Sequence, residues 1–292
     1  SARQHLAVLD AYPPFPRFPA AFAGVALATP AVRLLKVSFH MVDPLTRNAA
    51  LKVDARLQPY FSNEDERRAV TQAMFNQAAP GYDRAESLTA LGSGSWYRRD
   101  VLRRSGLQAG MTLLDVAAGT GLVAVEGLAL IGPEGRLLAL DPSPGMLAEL
   151  RKKLDVETLE AYAEAIPLPD EHVDFVSMGY ALRHVSDLDL AFGEYFRVLR
   201  SAGRVCIMEI SRPQNRFAQL LLRGYIGGVV PFLARLRRSE ASIAQLWAYY
   251  GETIQAAVDP EPILEALRHA GFEQVECTVT FGIFREYTGR KA

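Results

Sequence analysis

From residue 111 onward the chain alternates two kinds of hydrophobic pattern. "MTLLDVA", "GRLLALD", "VDFVSMGYAL" and "GRVCIMEI" are short, nearly continuous apolar runs, the pattern of strands buried on both faces. Between them, "GLVAVEGLALIG", "PGMLAELRKKLD" and "LDLAFGEYFRVLR" repeat apolar residues at helical spacing. "EPILEALRHAG" adds a further helix, and "FEQVECTVTFGIFREYTG" closes the chain as a pair of strands. This order predicts an α/β fold, Rossmann-like, with a parallel sheet covered by helices on both faces. The closing pair predicts an antiparallel edge.

The flanking segments read differently. "EDERRAVTQAMFNQAAPGYD" is helical up to Pro80-Gly81, and "GSGSWYRRDVLRRSGL" is a glycine-serine turn followed by an amphipathic helix. Residues 1–65 start proline- and aromatic-rich ("AYPPFPRFPAAF") and continue with helical spacing broken at Asp43-Pro44. They are expected to form a helical extension that caps the active site of their own chain, with residues 66–292 as the main domain. Residues 211–259 have helical spacing and no strand-like run, and are expected to be a helical lid inserted over the site.

Charge and composition narrow the function by exclusion. Thirty-two Lys and Arg face 33 Asp and Glu, so no strong positive field is available for nucleic acid. The two cysteines, Cys206 and Cys277, form neither a disulfide framework nor a metal-ligand spacing. The apolar stretches at residues 20–28 and 217–236 are too short or too interrupted by Arg, Gly and Pro to give the roughly 20 clean apolar residues of a membrane span. With no secretory pattern at the first residues, the expectation is a soluble, cytoplasmic enzyme without a metal, acting on a small lipophilic molecule, with a homodimer as one option.

The chemistry starts at "LLDVAAGTGLVAVEG". In a parallel sheet the ligand sits beyond the carboxyl ends of the strands, which gathers the glycine turn, Asp141 and residues 180–184 around one crevice. Gly119-Thr120-Gly121 followed by Ala124 also satisfies a loose dinucleotide fingerprint. Asp141, after the second strand, fits a ribose diol under either reading. Asp115 separates them. A carboxylate beside the turn would repel a pyrophosphate, but it suits the ammonium and sulfonium of S-adenosylmethionine, whose carboxylate can take backbone amides of the turn.

"FNQAAPGYD", "LLDVAAGTG", "ALDPSPGML", "AEAIPLPDEHVDFVSMGYALRHVSD", "FRVLRSAGRVCIMEISRP" and "WAYYGETI" occur in this order. Together, over residues 70–292, they resemble the UbiE-type ubiquinone/menaquinone C-methyltransferase family. The resemblance implies a class I methyltransferase fold, with a seven-stranded sheet containing one antiparallel strand. It also implies methyl transfer from S-adenosylmethionine to carbon, usually on a prenylated quinol ring. Carried over by position, it implies that Tyr82 lies over the cofactor and that Asp115, Gly119, Thr120 and Gly121 hold the methionyl end. Asp141 and the adjoining Pro142 would serve the ribose, with Met146, Ala163 and Glu164 at the adenine. Tyr180, Arg183 and Glu209 would border the acceptor.

The chain also departs from the family pattern. Arg183-His184 stands where Arg-Asn is usual, Tyr162 where Asp or Asn is usual, and "RSAGR" where Pro-Gly-Gly is common. These differences, with the long preface, lead to the expectation of a lipophilic isoprenoid acceptor. Its sharpest form is a prenyl diphosphate such as farnesyl diphosphate, with methylation coupled to cyclisation. A quinol-ring methyltransferase is the nearest alternative. A non-catalytic cofactor-binding subunit and a dinucleotide oxidoreductase are more distant ones. His184 offers a base near neutral pH, Glu209 a base or cation stabiliser, and Trp247, Tyr249 and Tyr250 an aromatic wall for a carbocation. Arg33, Lys36, Arg47, Lys52 and Arg56 would suit a diphosphate, or form a solvated helix face. Arg98 and Arg99 stand near the start of a helix, where cations oppose the dipole, and this hints at a nearby anion.

Overall fold

A computed structural model describes residues 64–90, 94–211, 224 and 259–292 of the 292-residue chain. The extension at residues 1–63, nearly all of the expected lid, and Trp247, Tyr249 and Tyr250 lie outside the described residues, as do the basic residues of the preface. The described chain opens with helices α1 (Glu64–Ala78), α2 (Tyr82–Ala90) and α3 (Gly94–Arg104). A single 3-10 turn, Ala79–Gly81, separates the first two, because Pro80 cannot continue the α-helical ladder. There follow β1 (Thr112–Val116), α4 (Leu122–Ile131), β2 (Arg136–Leu140), α5 (Pro144–Lys153), β3 (Glu157–Leu159) and β4 (Val173–Gly179). The chain ends with α6 (Leu188–Val198), β5 (Leu199–Ile210), α7 (Pro260–His269), β6 (Glu273–Thr280) and β7 (Phe284–Arg290).

The seven strands form one sheet in the order β3-β2-β1-β4-β5-β7-β6. β7 alone runs antiparallel to both of its neighbours. The closing pair is antiparallel and lies at the edge of the sheet, as expected, with the reversed strand β7 between β5 and the border strand β6. β3 was not foreseen, because three half-buried residues, "ETL", carry too little pattern. The four central strands bury side chains alternately on two faces. Leu114, Leu138, Val176 and Ile207 join the core beneath α6 and α7. Leu113, Leu137, Phe175 and Cys206 join the core with Val101 of α3 and Val123 of α4.

That alternation decides where the polar residues go. Asp115 shares the face of Leu113, and the register of β1 with β4 sets Asp115 opposite Ser177. Asp115 is the last but one residue of β1, so its carboxylate lies just inside the sheet. No helix among the described residues is long and apolar enough to cross a membrane.

Candidate active site

The turn from β1 into α4 needs backbone that side chains resist. Ala117, Gly119 and Gly121 all have positive φ, at 53°, 56° and 90°. The two glycines differ in what surrounds them. A Cβ on Gly121 would lie 3.0 Å from Leu150, whereas one on Gly119 would meet nothing within 4 Å among the described residues. Gly119 thus leaves open space above the turn, and Gly121 lets α4 sit against α5. Gly121→Ala is expected to cost about 2–3 kcal/mol of stability, from left-handed strain plus overpacking, and Gly119→Ala about 1 kcal/mol from strain alone. Urea denaturation of the two variants checks the order.

Asp115 is fully buried. Its Oδ1 accepts a 2.6 Å bond from Ser177 Oγ, and its Oδ2 has no hydrogen-bond partner among the described residues. Burial raises its pKa to about 7, and the charge of Asp141 adds to the effect. A buried carboxylate oxygen without a partner is costly. It leaves one acceptor oxygen open to a cation or a donor.

Asp141 follows β2 and ties the crevice together. Its Oδ2 accepts the Gly119 N–H and its Oδ1 the Ser143 N–H, each at 2.8 Å. Burial holds its pKa up at about 6, against the downward pull of these two bonds. Ser143 then caps α5 by accepting the Met146 N–H at 3.1 Å. Met146 is buried in the first turn of α5, and the Pro142 carbonyl accepts a short bond from the Gln72 side chain of α1.

α1 braces two loops at the strand ends. At its C-terminal half, Asn76 Oδ1 accepts bonds from Ser143 Oγ (2.6 Å) and Gly145 N–H (2.9 Å). At its N-terminal half, Arg67 pairs with Glu64 and donates to Ser186 Oγ and to the His184 carbonyl. Arg68 donates to Glu164, which also accepts the Ser186 N–H, and its guanidinium stands 4.9 Å from the centre of the Tyr162 ring. Glu164 is therefore held in place by α1, and Ala163 beside it is buried in the core. Tyr82 opens α2. One residue on, Asp83 accepts from Thr120 Oγ1 and pairs with Lys153, so α2 is latched to the glycine turn and to α5.

Tyr180, Arg183 and His184 follow β4, and Glu209 is the last but one residue of β5. Tyr180 has φ 61° and donates its N–H to the Met208 carbonyl at 2.7 Å. A tyrosine in the left-handed region is strained by about 1–2 kcal/mol, a cost concentrated at functional sites. Burial raises its phenol pKa. The Arg183 guanidinium donates to Glu209 Oε1 at 2.6 Å, and Glu209 also accepts the backbone N–H groups of Arg183 and Ile210. Glu209 is thus a counter-ion that fixes two loops. His184 meets Phe75 edge-on at 5.3 Å. Burial, then the charges of Arg183 and Arg67, hold its pKa well below the usual histidine range. This corrects the expectation of a histidine titrating near neutrality: the imidazole is neutral at physiological pH.

Ser177, Asn76, Gln72, Asp83 and the Arg67–Ser186 contacts were not read from the sequence. Only Ser177 left a signal there, as a polar residue inside the apolar run of β4.

A sheet in this order, a left-handed glycine turn after β1 and a buried acid at the carboxyl end of β1 and another just after β2 define a class I S-adenosylmethionine-dependent methyltransferase. The residues fit the cofactor: Asp115 keeps an acceptor oxygen unused, and Gly119 leaves room above the turn. In fold the chain is similar to a SAM-dependent methyltransferase from Aquifex aeolicus, with TM-score 0.53, 18% identity, and coverage of 72% of this chain and 98% of that one. It is likewise similar to a possible histamine N-methyltransferase from Thermotoga maritima, with TM-score 0.54, 20% identity, and coverage of 75% and 99%. Residues 62–291 match the profile of the ubiE/COQ5 methyltransferase family. The ubiquinone/menaquinone biosynthesis C-methyltransferases UbiE of Shewanella sp. strain W3-18-1 and of Shewanella putrefaciens are each 30% identical to it over 235 residues, 78% of this chain and 92% of theirs. The chain belongs to the ubiE/COQ5 methyltransferase family and is a methyltransferase that uses S-adenosylmethionine.

Proposed function

We propose that the enzyme methylates a ring carbon of a prenylated quinol. The observation that carries this reading is its similarity, across nearly the whole length of the relatives, to enzymes named for ubiquinone and menaquinone biosynthesis. The names of these relatives support the quinol alternative and lend no support to the prenyl diphosphate reading. Supply of S-adenosylmethionine goes with a cytoplasmic location.

When bound, S-adenosylmethionine supplies a methyl group already activated by its sulfonium. The protein's part is to bind, align and manage a proton. Asp115 and Asp141 are assigned to the cofactor's ammonium and ribose diol, and Tyr82, Met146, Ala163 and Glu164 to the adenosyl side. A quinol carbon becomes nucleophilic when its hydroxyl gives up a proton. The Arg183 guanidinium, held by Glu209, favours the phenolate that results, and the proton is released to water, because burial and two guanidinium charges make His184 too weak a base to take it.

The test is to incubate the protein with S-adenosylmethionine and either a demethylated prenylquinol, farnesyl diphosphate or geranyl diphosphate, and to read products by mass spectrometry. A gain of one methylene unit on the quinol is expected. A gain on a prenyl diphosphate alone would replace the reading.

A further inference from the structure

α1 is anchored at both ends to loops around the crevice, and the two sets of anchors belong to different parts of the site. At its C-terminal half, Gln72 and Asn76 hold the loop after β2 at Pro142, Ser143 and Gly145. At its N-terminal half, Arg67 and Arg68 meet at one side chain, Ser186 of the loop after β4. The Ser186 hydroxyl accepts from Arg67 Nη2 at 2.7 Å and from Arg68 Nε at 3.1 Å, and donates to Glu64 in a short bond. The Ser186 N–H goes to Glu164 at 2.8 Å, and Arg68 reaches the same carboxylate at 3.3 Å. Arg67 is 6% exposed, and its Nη2 also donates to the His184 carbonyl at 3.3 Å.

The loop after β4 is thus pinned from two sides. Glu209 of β5 holds Arg183, and α1 holds His184 and Ser186. These are charge-assisted bonds, and a buried guanidinium cannot slide away from them without leaving its charge unpaired. A helix shifts as one rigid element. Arg67 and Asn76 are about 13 Å apart along it. Whatever fixes the loop after β2 and Glu164 therefore fixes α1, and through α1 the loop after β4.

We propose that α1 couples the two halves of the site, with Arg67 as the positioning residue. Cofactor held against residues 141–146 and Glu164 steadies α1, and Arg67 passes that order to the loop carrying Arg183 and His184. The acceptor then binds best after the cofactor. The proposal rests on the placing of cofactor and acceptor given above.

Hydrogen exchange on the full-length enzyme tests the coupling without any acceptor. S-adenosylhomocysteine is expected to slow exchange about fivefold or more in two stretches of the wild type, residues 141–146 and residues 183–190. In Arg67→Met the first slowing should stay and the second be lost, with affinity for S-adenosylhomocysteine within about twofold of wild type. Arg67→Lys, which keeps the charge and a donor, should restore part of the second. In turnover, Arg67→Met should raise KM for the demethylated prenylquinol about tenfold and leave KM for S-adenosylmethionine unchanged. A quinol that the wild type does not methylate refutes the acceptor reading alone, and the exchange result still decides for α1. Slowing at residues 183–190 that survives Arg67→Met, or that the wild type never shows, overturns the coupling. Should Arg67→Met loosen β1 and β4 even without ligand, Ser186→Ala, a smaller change at the same junction, takes its place. It must show the same split, and slowing of both stretches in it overturns the proposal.

Discussion

Asp115→Asn is expected to weaken S-adenosylmethionine binding by up to about 100-fold and, at the same time, to make the cofactor-free enzyme more stable. The two effects share one cause. A charge-assisted hydrogen bond to a buried carboxylate contributes about 1.5–3 kcal/mol, equivalent to roughly 10- to 100-fold in affinity. The same carboxylate is a burden without the cofactor. It is fully buried, one of its oxygens is unused, and its pKa stands at about 7 against an ordinary 3.8. A shift of that size corresponds to about 4 kcal/mol of folding stability lost once the group is ionised. Asparagine removes the charge and keeps an oxygen for Ser177, but it leaves a buried amide N–H group in place of Oδ2, which returns about 1–3 kcal/mol of the gain. The net expectation is a variant about 2 kcal/mol more stable at pH 8, seen as a melting point several degrees higher. A carboxyl whose folded pKa is raised adds stability below its unfolded value, and that stability fades as pH rises to the folded value. The advantage of the variant should therefore be absent near pH 4, grow between about pH 4 and 7, and level off. Calorimetry on both proteins across that range checks it. A variant that melts lower than wild type while binding the cofactor normally would make Asp115 a structural acid.

The stretches that could be read from sequence are those in which one local pattern fixes the outcome. β1, β2, β4 and β5 are apolar runs of buried strand length, and the turn after β1 needs left-handed backbone that Gly119 and Gly121 supply. Asp115 and Asp141 were legible for the same reason, because each is an isolated acid just beside an apolar run. What was hidden depends on contacts between distant parts of the chain. Asn76 reaches Ser143 and Gly145 across nearly 70 residues, and Arg67 reaches Ser186 across 119. No spacing along the chain announces either bond, since both follow from how α1 docks. The His184 prediction failed on the same ground. An isolated histidine titrates near neutrality, but Phe75, Arg67 and Arg183 are what this one meets. The place of β7 was likewise beyond reach, because a hairpin signal pairs β6 with β7 without saying that β7 also pairs with β5.

Cofactor affinity is expected to follow a bell-shaped dependence on pH, with its acid limb below about pH 7 and its alkaline limb set by the ligand. Asp115 and Asp141 bind best when ionised, and their pKa values in the cofactor-free enzyme are about 7 and about 6. Between pH 7 and 6, affinity for S-adenosylhomocysteine should fall as Asp115 takes up its proton, approaching tenfold per pH unit. Below pH 6 the fall should steepen, because Asp141 is then protonated as well. The alkaline limb belongs to the ligand, whose α-amino group loses its proton above the range of a chain's terminal amine, because its own carboxylate favours the ammonium, and with that proton goes the charge that Asp115 receives. Binding on the acid side should release protons, measurable by calorimetry in buffers of different ionisation enthalpy. The two acids can be told apart by ligand and by variant. 5′-Methylthioadenosine has a ribose diol but no ammonium, so its affinity should be flat from pH 8 to 7 and fall only as Asp141 protonates. In Asp115→Asn, S-adenosylhomocysteine should show that same single limb. An affinity that does not change from pH 5.5 to 8 would mean that neither acid changes its protonation on binding, and that the unused oxygen of Asp115 faces something other than the cofactor's ammonium.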